Sequence, residues 1–251
     1  MGQNKVFIGL PIYWDVNPLF FHSCLQAFGQ LKEMAKELAP QGMVVPNIGD
    51  SAIGRSRNAL TRQFLESDAT HLLWIDSDLV FSAQHIIRIV NHPEEVVGGC
   101  YCKKQQGDPQ LVVNTLDNAV GGTESGLAQV RYVGTGFMRI ARSVFEKMIE
   151  AFGEEMWYKV DEQEVVEYDF WHMGVYKYPD GHRRWLSEDW WFCQKCADLG
   201  IPVYLDKHIL LRHSGSVLFP LRDQEPKLLG GADPASADAG SQSLAPVSAS
   251  A

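Results

Sequence analysis

Four short apolar runs alternate with helical patterns over the first hundred residues, and this alternation constrains the fold more than any other feature of the chain. Lys5–Leu10 (KVFIGL) is a compact apolar run that meets Pro11, which predicts a buried strand stopping there. From Phe20 to Leu38 the apolar residues Phe21, Cys24, Leu25, Phe28, Leu31, Ala35 and Leu38 recur at helical spacing. Met43–Ile48 predicts a second strand. Ser56–Glu66 predicts a helix with Ala59, Leu60, Phe64 and Leu65 on one face, and His71–Ile75 (HLLWI) a third strand. Ser82 is placed to cap a helix through Val90, and Glu95–Tyr101 reads as a fourth strand. Short apolar strands joined by helices predict an α/β fold with a parallel, doubly wound sheet. Ligands bind such sheets at the carboxyl ends of the strands, so Pro11, Asp50, Asp76 and Tyr101 are expected near one rim.

The rest of the chain is less regular. Gln110–Asn114 and Val130–Ile140 read as strands and Ser143–Phe152 as a helix. A long aromatic stretch from Trp157 to Trp185 reads as loop. Ser187–Leu199 reads as a helix capped by Ser187 and ended by Gly200-Ile201-Pro202, with short strands at Val203–Leu205 and Ile209–Leu211. From about Gly230 the chain is Ala, Ser, Gly, Pro and Asp, too poor in large apolar residues to offset its ordering entropy. The expected organisation is one domain over 1–229, with an aromatic insert at about 157–186, and a disordered tail over 230–251.

Composition narrows the function classes. Of 251 residues, 45% are hydrophobic and 21% charged, which is ordinary for a globular chain. No apolar run approaches the roughly 20 residues of a membrane span. The start has no apolar signal-peptide core, and Val6 breaks the myristoylation pattern after Gly2. A net charge of −9 speaks against a nucleic-acid partner. Five cysteines make no small-domain disulfide framework, so a reduced, cytoplasmic protein is the expectation. Cys100-x-Cys102 and Cys193-x-x-Cys196 suggest zinc only weakly, because C-x-C makes a poor knuckle and the second pair lies on a predicted helix.

The strongest chemical signal is Trp74-Ile75-Asp76-Ser77-Asp78, two carboxylates just past a buried strand. Hard cations such as Mg²⁺ or Mn²⁺ take oxygen ligands and are held by one or two carboxylates together with phosphate oxygens. Turn-forming aspartates are the structural alternative. Asp76-Ser77-Asp78-Leu79-Val80 also resembles the nucleophile motif of haloacid-dehalogenase-like phosphatases. No later strand supplies the acidic pair that chemistry needs, and the motif follows the third strand rather than the first. Glu188 and Asp189 open a predicted helix, where acids complement the macrodipole or serve as a general base. His213, after two short strands, is a suitable metal ligand or a structural histidine. Gly54-Arg55-Ser56-Arg57 enters a helix, where cations oppose the dipole. A bound diphosphate or solvent exposure would account for them. Gly134-Thr135-Gly136 permits close backbone approach or a bulge.

Together these segments resemble the GT-A glycosyltransferase superfamily, in particular the small family-2-like enzymes of bacteria, phages and large viruses. The matching residues are IGLPIY, GRSRNAL, LLWIDSD, VVGGCYCK, VGTGFMRIARSVFEKM, SEDWWFCQKCADLGIPVYLD and HSG, in family order over most of residues 5–215. The resemblance implies a nucleotide-diphospho-sugar transferase fold, Rossmann-like, with a mostly parallel sheet flanked by helices. It implies a Mn²⁺ or Mg²⁺ site of Asp76, Asp78 and His213. Pro11, Tyr13, Arg57, Asp76 and Ser77 would meet the nucleotide, and Gly134, Thr135 and Gly136 the sugar. Asp189 would be the base of an inverting hexosyl- or deoxyhexosyltransferase, with Glu188 beside it. The implied partners are a UDP- or GDP-sugar donor and a carbohydrate or other hydroxyl acceptor. A non-catalytic carbohydrate-binding protein is a further alternative. A sugar nucleotidyltransferase is disfavoured because PIYWDVNP lacks its Gly-, Arg- and Lys-bearing loop.

The insert lies outside the resemblance. Five of the seven Trp fall between Trp157 and Trp191. Most are expected to pack a small second core, with Trp185 and Trp190 touching the acceptor.

Overall fold

The computed structural model describes residues 5–38, 43–104, 110–116, 126–160, 164–215 and 218–219. The expected tail over 230–251 lies outside the described residues. The elements begin β1 (Val6–Ile12), α1 (Pro18–Leu38), β2 (Met43–Ile48), α2 (Ile53–Glu66), β3 (His71–Ile75) and β4 (Leu79–Val80). Then come α3 (Ala83–Val90), β5 (Val96–Cys100), β6 (Val113–Thr115), β7 (Leu127–Val133) and β8 (Phe137–Ala141). The last are α4 (Arg142–Met156), β9 (Trp157–Lys159), β10 (Val166–Tyr168), β11 (Gly174–Lys177), β12 (Arg183–Leu186), α5 (Glu188–Asp198), β13 (Val203–Leu210), β14 (Arg212–Ser214) and β15 (Leu218–Phe219).

Eight strands form the central sheet in the order β2-β1-β3-β8-β5-β13-β7-β6. β1 runs parallel to β2 and β3, and β13 parallel to β5, while β8 lies antiparallel between β3 and β5 and β7 antiparallel beside β13. The sheet is therefore mostly parallel, as expected, with reversed strands in its second half. Period-2 alternation splits the core between its faces. Phe7, Leu72 and Trp74 pack with Leu60 and Phe64 of α2, Phe145 of α4 and Phe192 of α5. Val6, Ile8, Leu10, Leu73 and Ile75 pack with Phe20 of α1 and Ile86 and Ile89 of α3. Both faces are covered, which is why these strands read as continuous apolar runs. Gly9 makes room for Trp74: a Cβ there would sit 2.5 Å from the indole.

Several boundaries differ from the sequence reading. β1 continues through Pro11 to Ile12. It pairs with β3 only up to Gly9, so Pro11 lies where the strand has a free edge and a missing N–H is tolerated. α2 begins at Ile53 rather than Ser56. Val130–Ile140 is not one strand: Gly134-Thr135-Gly136 divides it into β7 and β8, which lie apart in the sheet with β5 and β13 between them. The expected strands at Val203–Leu205 and Ile209–Leu211 are a single β13 with an irregular register after Asp206. The Asp206 carboxylate holds that irregularity by accepting from the His208 N–H (2.9 Å), Arg88 and His92.

The aromatic stretch is not loop. It forms two antiparallel hairpins, β9–β10 and β11–β12. Its inner aromatics join the main core instead of building a second one. Trp171 stacks on Phe192 (4.5 Å between ring centroids) and meets Trp74 edge-on (5.4 Å). Cys193 and Cys196 are buried in α5, and all five cysteines are free.

Candidate active site

Asp76, Ser77 and Asp78 form the turn between β3 and β4, closed by the Leu79 N–H donating to the Asp76 carbonyl. The Asp76 N–H donates to the Gly136 carbonyl, which ties the turn to the head of β8. Arg57, in α2, donates from Nη2 to Asp76 Oδ1 (2.8 Å). The Arg57 side chain is 1% exposed and its guanidinium lies over the indoles of Trp74 (5.1 Å) and Trp171 (5.8 Å). Its Nε is 3.9 Å from Glu188 Oε1. A cation so close to a helix start is thus explained by two carboxylates and two indoles. Arg55 is the exposed one, and it clasps Asp50 through two bonds.

Asp78 is reached from the other end of the chain. β14 pairs with β4, and the Asp78 carbonyl accepts from both the N–H (2.7 Å) and the hydroxyl (2.8 Å) of Ser214. This registers His213 against the Asp78 side chain, with Nε2 3.3 Å from Oδ2. His213 Nδ1 donates to the Cys102 carbonyl (2.7 Å), so in the neutral ring Nε2 carries the lone pair. Lys104 also reaches Asp78 Oδ2, whereas Oδ1 is buried with no hydrogen-bond partner among the described residues. Burial alone would raise the Asp78 carboxyl, but the bond from His213, made when the ring carries both protons, and the bond from Lys104 outweigh it and hold the group below its ordinary value.

A buried, unpartnered carboxylate oxygen beside an imidazole lone pair is a fitting donor set for a hard divalent cation. Asp76 is bonded to Arg57 through Oδ1. Among the described residues no group of three His, Cys, Asp or Glu side chains comes together as metal ligands. Any ion held by Asp78 and His213 would therefore take its other ligands from a bound anion and water.

Glu188 and Asp189 occupy the first turn of α5. Burial raises both carboxyls. For Glu188 the opposing influence is Arg57; for Asp189 it is the Ser187 hydroxyl and the Trp190 N–H. The Asp189 Oδ1 accepts both of those bonds. Asp76 and Asp189 both lie close enough to the Tyr101 phenol to add to the upward push that burial gives it. Tyr101 is itself enclosed by glycines. A Cβ at Gly134 would come to 2.2 Å from its hydroxyl and one at Gly136 to 2.8 Å, and the Gly136 N–H donates to that oxygen. Gly134 and Gly136 thus pack against Tyr101, and Thr135 between them is buried.

A cleft of about 190 Å³ opens at the rim, lined by Pro11, Tyr13, Asp50, Ser56, Asp76, Ser77 and Asp78, among others. Pro11, Asp50 and Asp76 share the rim expected from the topology. Trp190 stacks on Tyr132 (5.0 Å) and has the Arg184 guanidinium over its ring (4.6 Å), and Trp185 is 60% exposed on β12. Lys104 was not singled out by the sequence: it follows the VVGGCYCK segment, and only its contact with Asp78 distinguishes it.

No family model matches the chain, and no curated protein matches it. Solved structures do. Protein A197 from STIV aligns with a TM-score of 0.50 at 17% identity, over 90% of this chain and 98% of that one. GalNAc-T7, solved with UDP, GalNAc and Mn²⁺, aligns at TM-score 0.47 and 9% identity, over 91% of this chain and 46% of that one. A glycosyltransferase involved in glycosylating the major capsid of PBCV-1 aligns at TM-score 0.32 and 10% identity, over 60% and 67%. The chain thus shares its α/β fold, a mostly parallel central sheet flanked by helices, with protein A197.

Proposed function

We propose that this protein is a metal-dependent glycosyltransferase that moves a sugar from a nucleoside diphosphate to a hydroxyl acceptor. The observation that carries the reading is the unpartnered Asp78 Oδ1 beside His213 Nε2, at the mouth of a cleft lined by Pro11, Tyr13 and Asp76. Asp78 and His213 would hold Mn²⁺ or Mg²⁺. The ion would supply neutralisation of the leaving diphosphate, which an acidic chain cannot otherwise offer. Pro11 and Tyr13 border the nucleobase. Asp76, fixed by Arg57, and Ser77 face the ribose and diphosphate. Gly134, Thr135 and Gly136 hold Tyr101 beneath the sugar side. Asp189 takes the proton from the acceptor hydroxyl as the sugar is transferred. Its raised carboxyl makes it a stronger base than an exposed aspartate, and the bonds to Ser187 and the Trp190 N–H aim it. A base of this kind on the acceptor side suits inversion, with Glu188 completing the charge around Arg57.

The test is calorimetric titration with UDP and with GDP, each with and without Mn²⁺, on wild type and on Asp78→Ala. Binding that requires Mn²⁺ and disappears in Asp78→Ala is the expected result, and it names the base of the donor. Binding indifferent to both Mn²⁺ and Asp78 would overturn the assignment.

A further inference from the structure

On the far side of the α2 start from the nucleotide cleft lies a second groove, of about 460 Å³. Ala52, Gly54 and Arg55 line it, while Ser51, Ile53 and Ser56 line the cleft, so one helical turn separates the two. The opposite wall comes from the insert, outside the family resemblance: Trp157, Tyr158, Asp169, Trp171, His172 and Met173. The groove mixes broad apolar faces with polar groups held in fixed positions. Trp157 is 49% exposed and Met173 41%. Buried Asn58 donates from Nδ2 to Asp169 Oδ1 (2.9 Å) and accepts the Trp171 N–H at its own oxygen (3.2 Å). Asp169 Oδ2 in turn accepts from His172 Nδ1 (2.7 Å). A carboxylate can only accept, so Nδ1 carries the proton and the lone pair of the neutral ring is at Nε2. The ring is also held by Trp191 (4.4 Å between centroids), and only a glycine at 174 leaves it room: a Cβ there would meet Nε2 at 2.6 Å.

Nothing in the proposed donor chemistry uses this Asn58–Asp169–His172 chain. We propose that the groove binds the sugar ring of a carbohydrate acceptor, with Trp157 beneath the ring face and His172, oriented by Asp169 and Asn58, bonding a ring hydroxyl. A sugar presents an apolar C–H face and a rim of hydroxyls. This groove offers an indole plane together with an oriented imidazole, a carboxylate and a guanidinium, which matches both. The inference rests on the transferase reading for the word acceptor, but not for the binding itself. Arg55, which lines this groove while bonded to Asp50 of the nucleotide cleft, joins the two sites.

The experiment is saturation-transfer NMR on the full chain with methyl glycosides of glucose, galactose, mannose and N-acetylglucosamine, at roughly millimolar concentration. The variants are His172→Gln and Trp157→Ala, both at exposed side chains, and Gly174→Ala, which displaces the imidazole by contact. Binding of at least one glycoside by wild type, weakened about 3- to 10-fold in each variant, is expected from the loss of one hydrogen bond or one stacking face. Binding unaltered by all three variants, or no binding of any glycoside, would overturn the proposal. So would an equal loss of UDP or GDP binding in the variants, since the groove would then belong to the donor. A wild type that binds glycoside but neither nucleotide would remove the transferase reading and leave the groove standing.

Discussion

Arg57→Met isolates the charge arrangement at the centre of the site. The substitution keeps an unbranched stem beside Trp74 and Trp171 and removes the guanidinium. It deletes one charge-assisted hydrogen bond to Asp76, worth about 1.5–3 kcal/mol, and cation–π contacts worth about 1 kcal/mol. It also leaves Asp76 and Glu188 beside each other without the cation that faces both. Removing one member of a fully buried pair costs about 3–5 kcal/mol. The Asp76 side chain is 29% exposed, so water recovers part of that, and the expected loss is about 2–4 kcal/mol. For a chain of this size that lowers Tm by roughly 4–16 °C. Urea unfolding followed by circular dichroism measures it. Adding Asp76→Asn to the variant neutralises the stranded carboxylate and should return about 1–2 kcal/mol, a coupling that a double-mutant cycle reads directly. A loss under about 0.5 kcal/mol, or two costs that simply add, would refute the reasoning.

Two further outcomes follow from groups around Arg57. Glu188→Gln should stabilise the protein at neutral pH, because burial holds the Glu188 carboxyl above its ordinary value in the folded chain. A raised carboxyl binds its proton more tightly when folded, so its penalty is full above the folded pKa and absent below the unfolded one. The gain of the variant over wild type should therefore shrink as pH falls through the range just above 4.5 in a series of urea melts, and a gain constant from pH 4 to 7 would contradict it. Gly134→Ala should cost about 1–3 kcal/mol by driving a methyl into the Tyr101 hydroxyl, with Tyr101→Phe recovering part of it in the double variant. Strictly additive losses in urea midpoints would show that the contact is not the cause.

The elements read most faithfully are those whose signal is local. HLLWI is β3 to the residue, Ser82 precedes α3, and Ser187 precedes α5. Each rests on an apolar period or a cap within a few positions. Val130–Ile140 reads as one strand because buried apolar residues flank the turn on both sides, Tyr132 and Val133 before it and Phe137 and Met138 after it, so no period marks it. Only the glycines that accommodate Tyr101 do. The hairpins of the insert escaped because their exposed faces carry Val175 and Trp185, so no alternation of polar and apolar residues appears.

The site divides in the same way. That Asp76 and Asp78 stand at a rim was legible, since a carboxylate after a buried strand can go nowhere else in a parallel sheet. Which of them pairs with what was not. Arg57 reached Asp76 and left Asp78 to His213 because α2 packs against β1 and β14 pairs with β4, contacts between segments far apart in the chain. The Asn58–Asp169 bond spans 111 residues, and neither side chain stands out where it occurs in the sequence. By itself, then, the order of residues determined the alternation of strands and helices and the end of the sheet where chemistry gathers, because hydrophobic period and chain direction are local properties. The tertiary structure alone decided where β8 enters the sheet, which carboxylate keeps a free oxygen, and that a histidine of the insert comes to lie in a groove beside the nucleotide cleft. Each of those depends on the three-dimensional packing of elements whose sequences carry no mark of one another.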